Sequence, residues 1–259
     1  MRALLLTSSL VTSLLFASTP ALAQHPSRSI GTANRGRLED GVRIAETEHL
    51  VLQPASSAHF WGTAELVGMI TRAAATLQTL SAGPRVMVGA LSRRRGGRLP
   101  PHRSHQNGRD LDVGYALTDD DGAPTEARRF VELGEGGCGA DRGEPYCLDA
   151  ERTFLLFAAL LADPEARVQW ILIAADLREQ VLAAGRRLDV TDAVRERVVL
   201  ATEPRAASEY HRSHFHVRIY CAVDDRPRCA DTAPFHAWYE GEPPRPPRRR
   251  ARRRRHRRR

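Results

Sequence analysis

The chain has 259 residues, a formal net charge of +8 and four cysteines, and its basicity is local. Residues 245–259, RPPRRRARRRRHRRR, hold 11 of the 39 basic side chains and none of the 31 acidic ones, so residues 1–244 carry 28 bases against 31 acids, a net of −3. The basicity belongs to the tail. The tail has no aromatic side chain to stack on bases, so no specific nucleic-acid partner is expected.

In chain order, residues 1–23 place one arginine before an apolar stretch that ends in Ala21-Leu22-Ala23. A small-x-small ending of this kind marks a signal peptide, here cut before Gln24. Ser and Thr interrupt the stretch, which falls short of the ~20 apolar residues of a spanning helix. An exported chain that does not span a membrane is expected. Residues 24–56 are polar and broken by Gly and Pro, an extended segment. Leu66, Ile70, Ala74, Leu77 and Leu80 recur at helical spacing, which predicts a helix from Trp61 to about Leu80, ended by Ser81-Ala82-Gly83-Pro84. Arg85 to Leu91 reads as a strand, 92–103 as a loop, and Leu111 to Leu117 as a second strand followed by a turn.

Residues 134–149 read as a Gly-rich loop bracketed by cysteines. Further on come a helix from Glu151 to Ala162, a buried strand from Val168 to Ala174, a helix from Leu177 to Ala184, and a short helix from Asp189 to Arg197 followed by Val198-Val199-Leu200. The last strand runs from His214 to Cys221. The spacing of strands and helices is irregular, without a βαβ rhythm. It predicts an α+β fold, a mainly antiparallel central sheet flanked by helices, as one domain over residues 24–240. Residues 241–259 form an Arg-rich tail that repels itself and cannot bury a core, so it is expected to be disordered. Such a tail suits attachment to an anionic surface polymer, lipid headgroups or nucleic acid by charge, or is merely solvated; both readings stand open.

Cys138, Cys147, Cys221 and Cys229 make an even count in an exported chain, which points to two disulfides. Three pairings are open. Cys138 with Cys147 and Cys221 with Cys229 are expected, because each closes a short loop rich in Gly, Asp, Pro and Arg. Neither pair has the C-x2-C spacing favoured by structural zinc.

Two stretches carry chemistry, SHQNGRDLDVGY at 104–115 and HRSHFHVRIY at 211–220. Side chains two apart on a strand share a face, so His214, His216, Arg218 and Tyr220 face one way while Phe215, Val217, Ile219 and Cys221 face the core. The same parity sets Asp110 and Asp112 opposite Leu111 and Val113. If the strands are neighbours, imidazoles and a carboxylate converge, and His105 completes the set from the preceding loop. Two imidazoles and one carboxylate suit Zn²⁺ and leave a fourth position open, the form of a catalytic site.

His105-x6-Asp112 followed by His214-Phe215-His216 resembles the motif pair of the lysostaphin, D-Ala-D-Ala metallopeptidase and Sonic hedgehog superfamily, and the wording of both stretches is most similar to its penicillin-insensitive murein endopeptidase branch. The similarity runs from about Gly31 to Tyr220 and takes in Trp61-Gly62-Thr63 and Leu91-Ser92. The resemblance implies a periplasmic zinc metallopeptidase. Its zinc ligands are His105, Asp112 and His216, His214 is the base, and His211 stabilises the oxyanion. The implied partners are the cross-linked stem peptides of peptidoglycan, cut at D-alanyl to diaminopimelyl bonds without an acyl-enzyme. In the carboxypeptidase branch a Glu three before the last ligand is the base; here that position is Ser213, which favours the endopeptidase. A wall D-Ala carboxypeptidase and a non-catalytic zinc-dependent wall-binding module remain as alternatives.

One zinc is expected. His102 leaves a second metal open, with Asp141, Asp149 and Glu151 as the acids that would have to join it. Asp110 reads as a solvated or hydrogen-bonded face residue. Arg93, Arg94, Arg95 and Arg109 surround the motif as either carboxylate grips or solvated surface. Trp61, Trp170 and Trp238 read as packing.

Overall fold

The computed structural model describes residues 27–243. The signal peptide of residues 1–23, the cut before Gln24 and most of the Arg-rich tail lie outside them. Among the described residues thirteen strands and four α-helices follow one another, an α and β mixture with several sheets. The polar segment expected to be extended folds back as a hairpin, β1 (Arg28–Thr32) with β2 (Arg35–Glu39). β3 (Val42–Arg43) follows, then β4 (Leu50–Leu52), and β5 (Trp61–Gly62) pairs back onto β3.

Helix α1 (Ala64–Leu80) starts where the Thr63 hydroxyl accepts the Leu66 amide, and it buries Leu66, Met69, Ile70, Ala73, Ala74 and Leu77. The apolar periodicity thus placed the helix correctly, three residues shorter at its start because Trp61 and Gly62 are in a ladder. β6 (Val86–Val88), β7 (Asp110–Val113), β8 (Leu117–Thr118) and β9 (Pro124–Thr125) follow. The single strand expected from Leu111 to Leu117 is split, and its second piece joins another sheet.

Residues 134–149 are not simply a loop. β10 (Cys138–Asp141) and β11 (Glu144–Leu148) form a hairpin with Cys138 opposite Cys147, and those two are bonded. Arg142 and Gly143 turn the chain with φ of 52° and 89°, the left-handed pair that a two-residue hairpin turn requires. The Cys221–Cys229 bond is also present, so both expected pairings hold.

Helix α2 (Ala150–Leu161), capped by the Asp149 carboxylate on the Arg152 amide at 2.9 Å, packs against α1, against α3 (Ala175–Gly185) and against α4 (Asp192–Ala201). Helix α4 runs through Val198-Val199-Leu200, which the sequence had set after its end. Val198 and Ala201 are its buried positions, and the helix continues because they extend the stripe facing α2. Between α2 and α3 lies β12 (Val168–Leu172), and the chain closes on β13 (Phe215–Ile219).

The central sheet has the order β12-β13-β7-β6-β4, antiparallel throughout except for the β4–β6 pair. Its core face meets α2, where Phe157 stands edge-on to Phe215 with ring centroids 4.8 Å apart. No helix among the described residues is long and apolar enough to cross a membrane.

Candidate metal centre

The two motif stretches meet at the middle of the sheet. β7 and β13 are antiparallel neighbours in a register that sets His216 opposite Asp112 and Arg218 opposite Asp110. Phe215, Val217 and Ile219 go into the core as their parity requires, and Leu111 and Val113 join them. The other face is not exposed: His216, Arg218, Asp110 and Asp112 are all buried, with Asp110 at 0%.

His105 arrives from the loop before β7 in an unusual backbone state. Its φ of 62° is left-handed, a region that a non-glycine residue adopts only where its surroundings enforce it. Asp110 enforces it here, its Oδ2 accepting the His105 amide at 2.9 Å, while the His105 ring is aimed by the Leu91 carbonyl, 2.6 Å from Nδ1. A carbonyl can only accept, so Nδ1 carries the proton and Nε2 is a bare lone pair. His216 is held in the opposite sense: its Nε2 donates to Asp110 Oδ1 at 2.9 Å, so in the neutral ring Nδ1 is the bare nitrogen.

Both bare nitrogens point at one carboxylate oxygen. His105 Nε2 and His216 Nδ1 are 3.1 Å apart, and they lie 3.3 and 3.0 Å from Asp112 Oδ1. Three lone pairs therefore converge with no proton assigned among them, an arrangement that repels itself unless a cation sits at its focus. Donors at zinc bond lengths in tetrahedral array are roughly 3.3 Å from one another, so the donor spacing and chemistry fit that ion. Without a metal the cluster gathers a proton. Burial opposes charge on His216, but Asp110 and Asp112 outweigh it and raise its pKa to about 9. Burial likewise opposes charge on Asp112, and the surrounding imidazoles reverse that and hold its carboxyl well below the ordinary range.

His102, His105 and Asp112 also form a group whose potential ligand atoms lie within 4.8 Å of one another, and that group could hold a metal ion. His102 Nδ1 is 3.6 Å from Asp112 Oδ2, and its ring is tilted over that of His105. Burial, with the neighbouring imidazole, lowers its pKa to about 4. The acids weighed with His102 for a second metal are engaged elsewhere: Asp141 accepts from Arg129, Asp149 caps α2, and Glu151 pairs with Arg187 at 3.2 Å.

His214 borders the same hollow. Its Nε2 is 3.7 Å from Asp112 Oδ1, beyond hydrogen-bond range, and its ring stacks on Phe130. Its Nδ1 meets the Ser213 hydroxyl at 3.0 Å. A hydroxyl donates or accepts, so either tautomer of His214 is satisfied, which suits a group that takes and returns a proton. Burial lowers its pKa and keeps the ring neutral near pH 7. His211 stands edge-on to His214 and His216 with its Nδ1 given to the Ala207 carbonyl at 2.8 Å, while its own carbonyl accepts from Tyr115. Burial lowers its pKa to about 4. A cleft of about 500 Å³ opens over all five histidines and is bounded by Tyr210, which is 83% exposed.

Sequence reasoning took Asp110 for a face residue, solvated or hydrogen-bonded. It is the buried hub of the cluster, bound to His216, to the His105 amide and, at 2.5 Å, to Arg218 Nε. Its signal was the strand parity it shares with Asp112. Arg109 faces away from the cleft and is buried against Asp231 at 2.8 Å, so it grips no substrate carboxylate. Arg94 lies over Trp61, and both Arg205 and Arg218 lie over the Trp170 ring.

Residues 29–137 match the model of a family described as penicillin-insensitive murein endopeptidase. The match takes in His102, His105, Asp110 and Asp112 and ends before the strand that brings His214 and His216. No curated protein matches the chain.

Proposed function

From the match of residues 29–137 to the penicillin-insensitive murein endopeptidase model, we propose that the chain is an exported, periplasmic zinc endopeptidase that hydrolyses the D-alanyl to diaminopimelyl cross-links of peptidoglycan. The observation that carries the metal dependence is the convergence of His105 Nε2, His216 Nδ1 and Asp112 Oδ1, each within 3.0–3.3 Å of the others. The tautomers of His105 and His216 are each fixed by an acceptor on the far side of the ring, and Asp112 accepts only. His105, Asp112 and His216 would hold the ion on the sheet face. Zinc, when bound, supplies Lewis-acid polarisation of a carbonyl and acidifies a water molecule.

The chain's own groups supply the proton traffic. His214 is neutral near pH 7 and, with its Nδ1 proton donated to the Ser213 hydroxyl, free at Nε2 to take a proton from the attacking water, the Ser213 oxygen then holding the imidazolium that forms. The same proton then passes to the leaving amine. His211 is proposed to meet the negative oxygen of the tetrahedral intermediate. Since its Nδ1 proton is committed to Ala207, it must carry a second proton at Nε2 to do so, and burial sets that cost. No serine or cysteine nucleophile takes part, so no acyl-enzyme forms. The two disulfides suit an oxidising compartment.

Digestion of purified cross-linked muropeptides tests the reading. Dimers should fall to monomers with the untreated protein, fail to do so after chelation, and recover with added Zn²⁺. His214→Ala should lower turnover by about 10²–10⁴-fold while metal content stays the same. Release of terminal D-alanine without loss of dimers would make the chain a carboxypeptidase instead.

A further inference from the structure

Beside the metal cleft lies a second hollow of about 310 Å³, and the two share Pro101, His102 and Arg103. Arg98 and Asn34 bound its outer part, with Gln106 below. No acidic side chain lines it, and Asp112, the one acid lining the metal cleft, is committed to the metal cluster. Several arginines that support the fold are paired with acids: Arg72 with Asp163, Arg109 with Asp231, Arg212 with Asp176 and Arg218 with Asp110. Among the described residues Arg98 and Arg103 have no such partner. The segment between them is nevertheless fixed. Leu99 is fully buried and bridged to His102, and Gln106 donates to the Arg103 carbonyl at 3.2 Å. Two unpaired guanidiniums are thus presented from an anchored turn, one of them beside the metal-facing imidazole of His102.

We propose that this hollow is a carboxylate subsite, in which Arg103, assisted by Arg98, binds the free carboxylate of the stem peptide nearest the scissile amide. The inference rests on the endopeptidase reading. In the cross-link that reading assigns, the amide nitrogen sits on a carbon that itself bears a carboxyl group. A planar guanidinium matches a carboxylate in two parallel hydrogen bonds, and both Arg98 and Arg103 are exposed and so accessible to an incoming stem peptide. Arg103 therefore contributes to substrate positioning and specificity, outside the proton transfers.

Three cross-linked muropeptide dimers test this: one with all carboxyls free, one amidated at the carboxyl beside the scissile amide, and one amidated only at the chain terminus. The wild type should show a KM about 10- to 100-fold higher for the second than for the first, with kcat within a few-fold. Arg103→Gln should raise KM for the free substrate to the level of the amidated one and leave the amidated one unaffected; Arg103→Lys should recover part of the loss. Arg93→Gln, on exposed surface outside both hollows, serves as the control. Equal KM for all three substrates, or an Arg103→Gln loss that is the same with and without the carboxylate, would overturn the subsite. A KM rise confined to the terminally amidated dimer would overturn the assignment to the neighbouring carboxylate. Failure of the wild type to cleave any dimer would instead refute the endopeptidase reading beneath it.

Discussion

The two faces of β13 and its neighbour β7 are equally dry and are held by opposite physics. On one side Phe215, Val217, Leu111 and Val113 are at 0% exposure; on the other Asp110, Asp112, His216 and Arg218 stay at or below 7%. The apolar face is stabilised by removal of area from water and by close packing, and many neighbours share the contribution of each side chain. The polar face has each charge compensated by a specific partner, so each member depends on the others. Burial therefore does not separate core from site here. Removal of one member does, because it loosens the apolar face and disables the polar one.

The largest effect should come from breaking the polar face at its focus. Asp112→Ala takes away the oxygen on which both imidazoles converge, and muropeptide turnover should drop by roughly four orders of magnitude, about 5.5 kcal/mol on the barrier, with metal content by elemental analysis well under one ion per chain. Breaking the apolar face at Phe157→Ala should cost about 3–5 kcal/mol, lowering Tm by roughly 10 °C in a thermal melt. Activity per folded molecule at low temperature should stay near wild type, and an equal loss of both would show that the faces are not separable.

A subtler break is Asp110→Asn. It keeps the size of the hub but halves its acceptors for His216, Arg218 and the His105 amide, and metal affinity should weaken by about 10–100-fold in a chelator competition. Retained affinity would mean that the tautomer of His216 is set elsewhere. The smallest effect is expected at Asp163, a pair outside both faces. Burial opposes its charge, but two bonds from Arg72 and the amides of Glu165 and Ala166 outweigh that and keep its carboxyl below the ordinary value. A depressed acid stabilises the fold above its unfolded pKa of about 3.9, and the contribution is lost as pH falls through the folded value. Arg72 is 37% exposed, so Asp163→Asn should cost only about 1–2 kcal/mol at pH 7. The difference from wild type should shrink as melts are repeated toward pH 2.

How much of this was legible beforehand varied with the range of the interaction. Helix α1 could be read from five apolar residues at helical spacing, and the last strand from alternation, because both patterns repeat within the element itself. The hairpin at 138–148 and the extension of α4 through Val198 to Leu200 were misread. Glycines and cysteines look like loop when their cross-strand partner is unknown, and a β-branched pair looks like strand until the stripe facing α2 claims it. In the site, the residue types and their parity were available, yet Asp110 was ranked below Asp112 although both share one face.

The sequence by itself singled out the candidate side chains for chemistry and determined which face of each motif strand turns inward, and it favoured the two cysteine pairs without excluding the other pairings, since all three readings rest on residue type and short spacing. Only the tertiary structure decided that Asp112 lies opposite His216, that the Leu91 carbonyl and Asp110 orient the two imidazoles, and that Arg103 rather than Arg109 borders the cleft, with Arg98 in the hollow beside it. The reason is reach. A hydrogen bond acts over about 3 Å in space and is indifferent to the 104 residues that separate Asp112 from His216 along the chain, so its partner appears only once the sheet has formed.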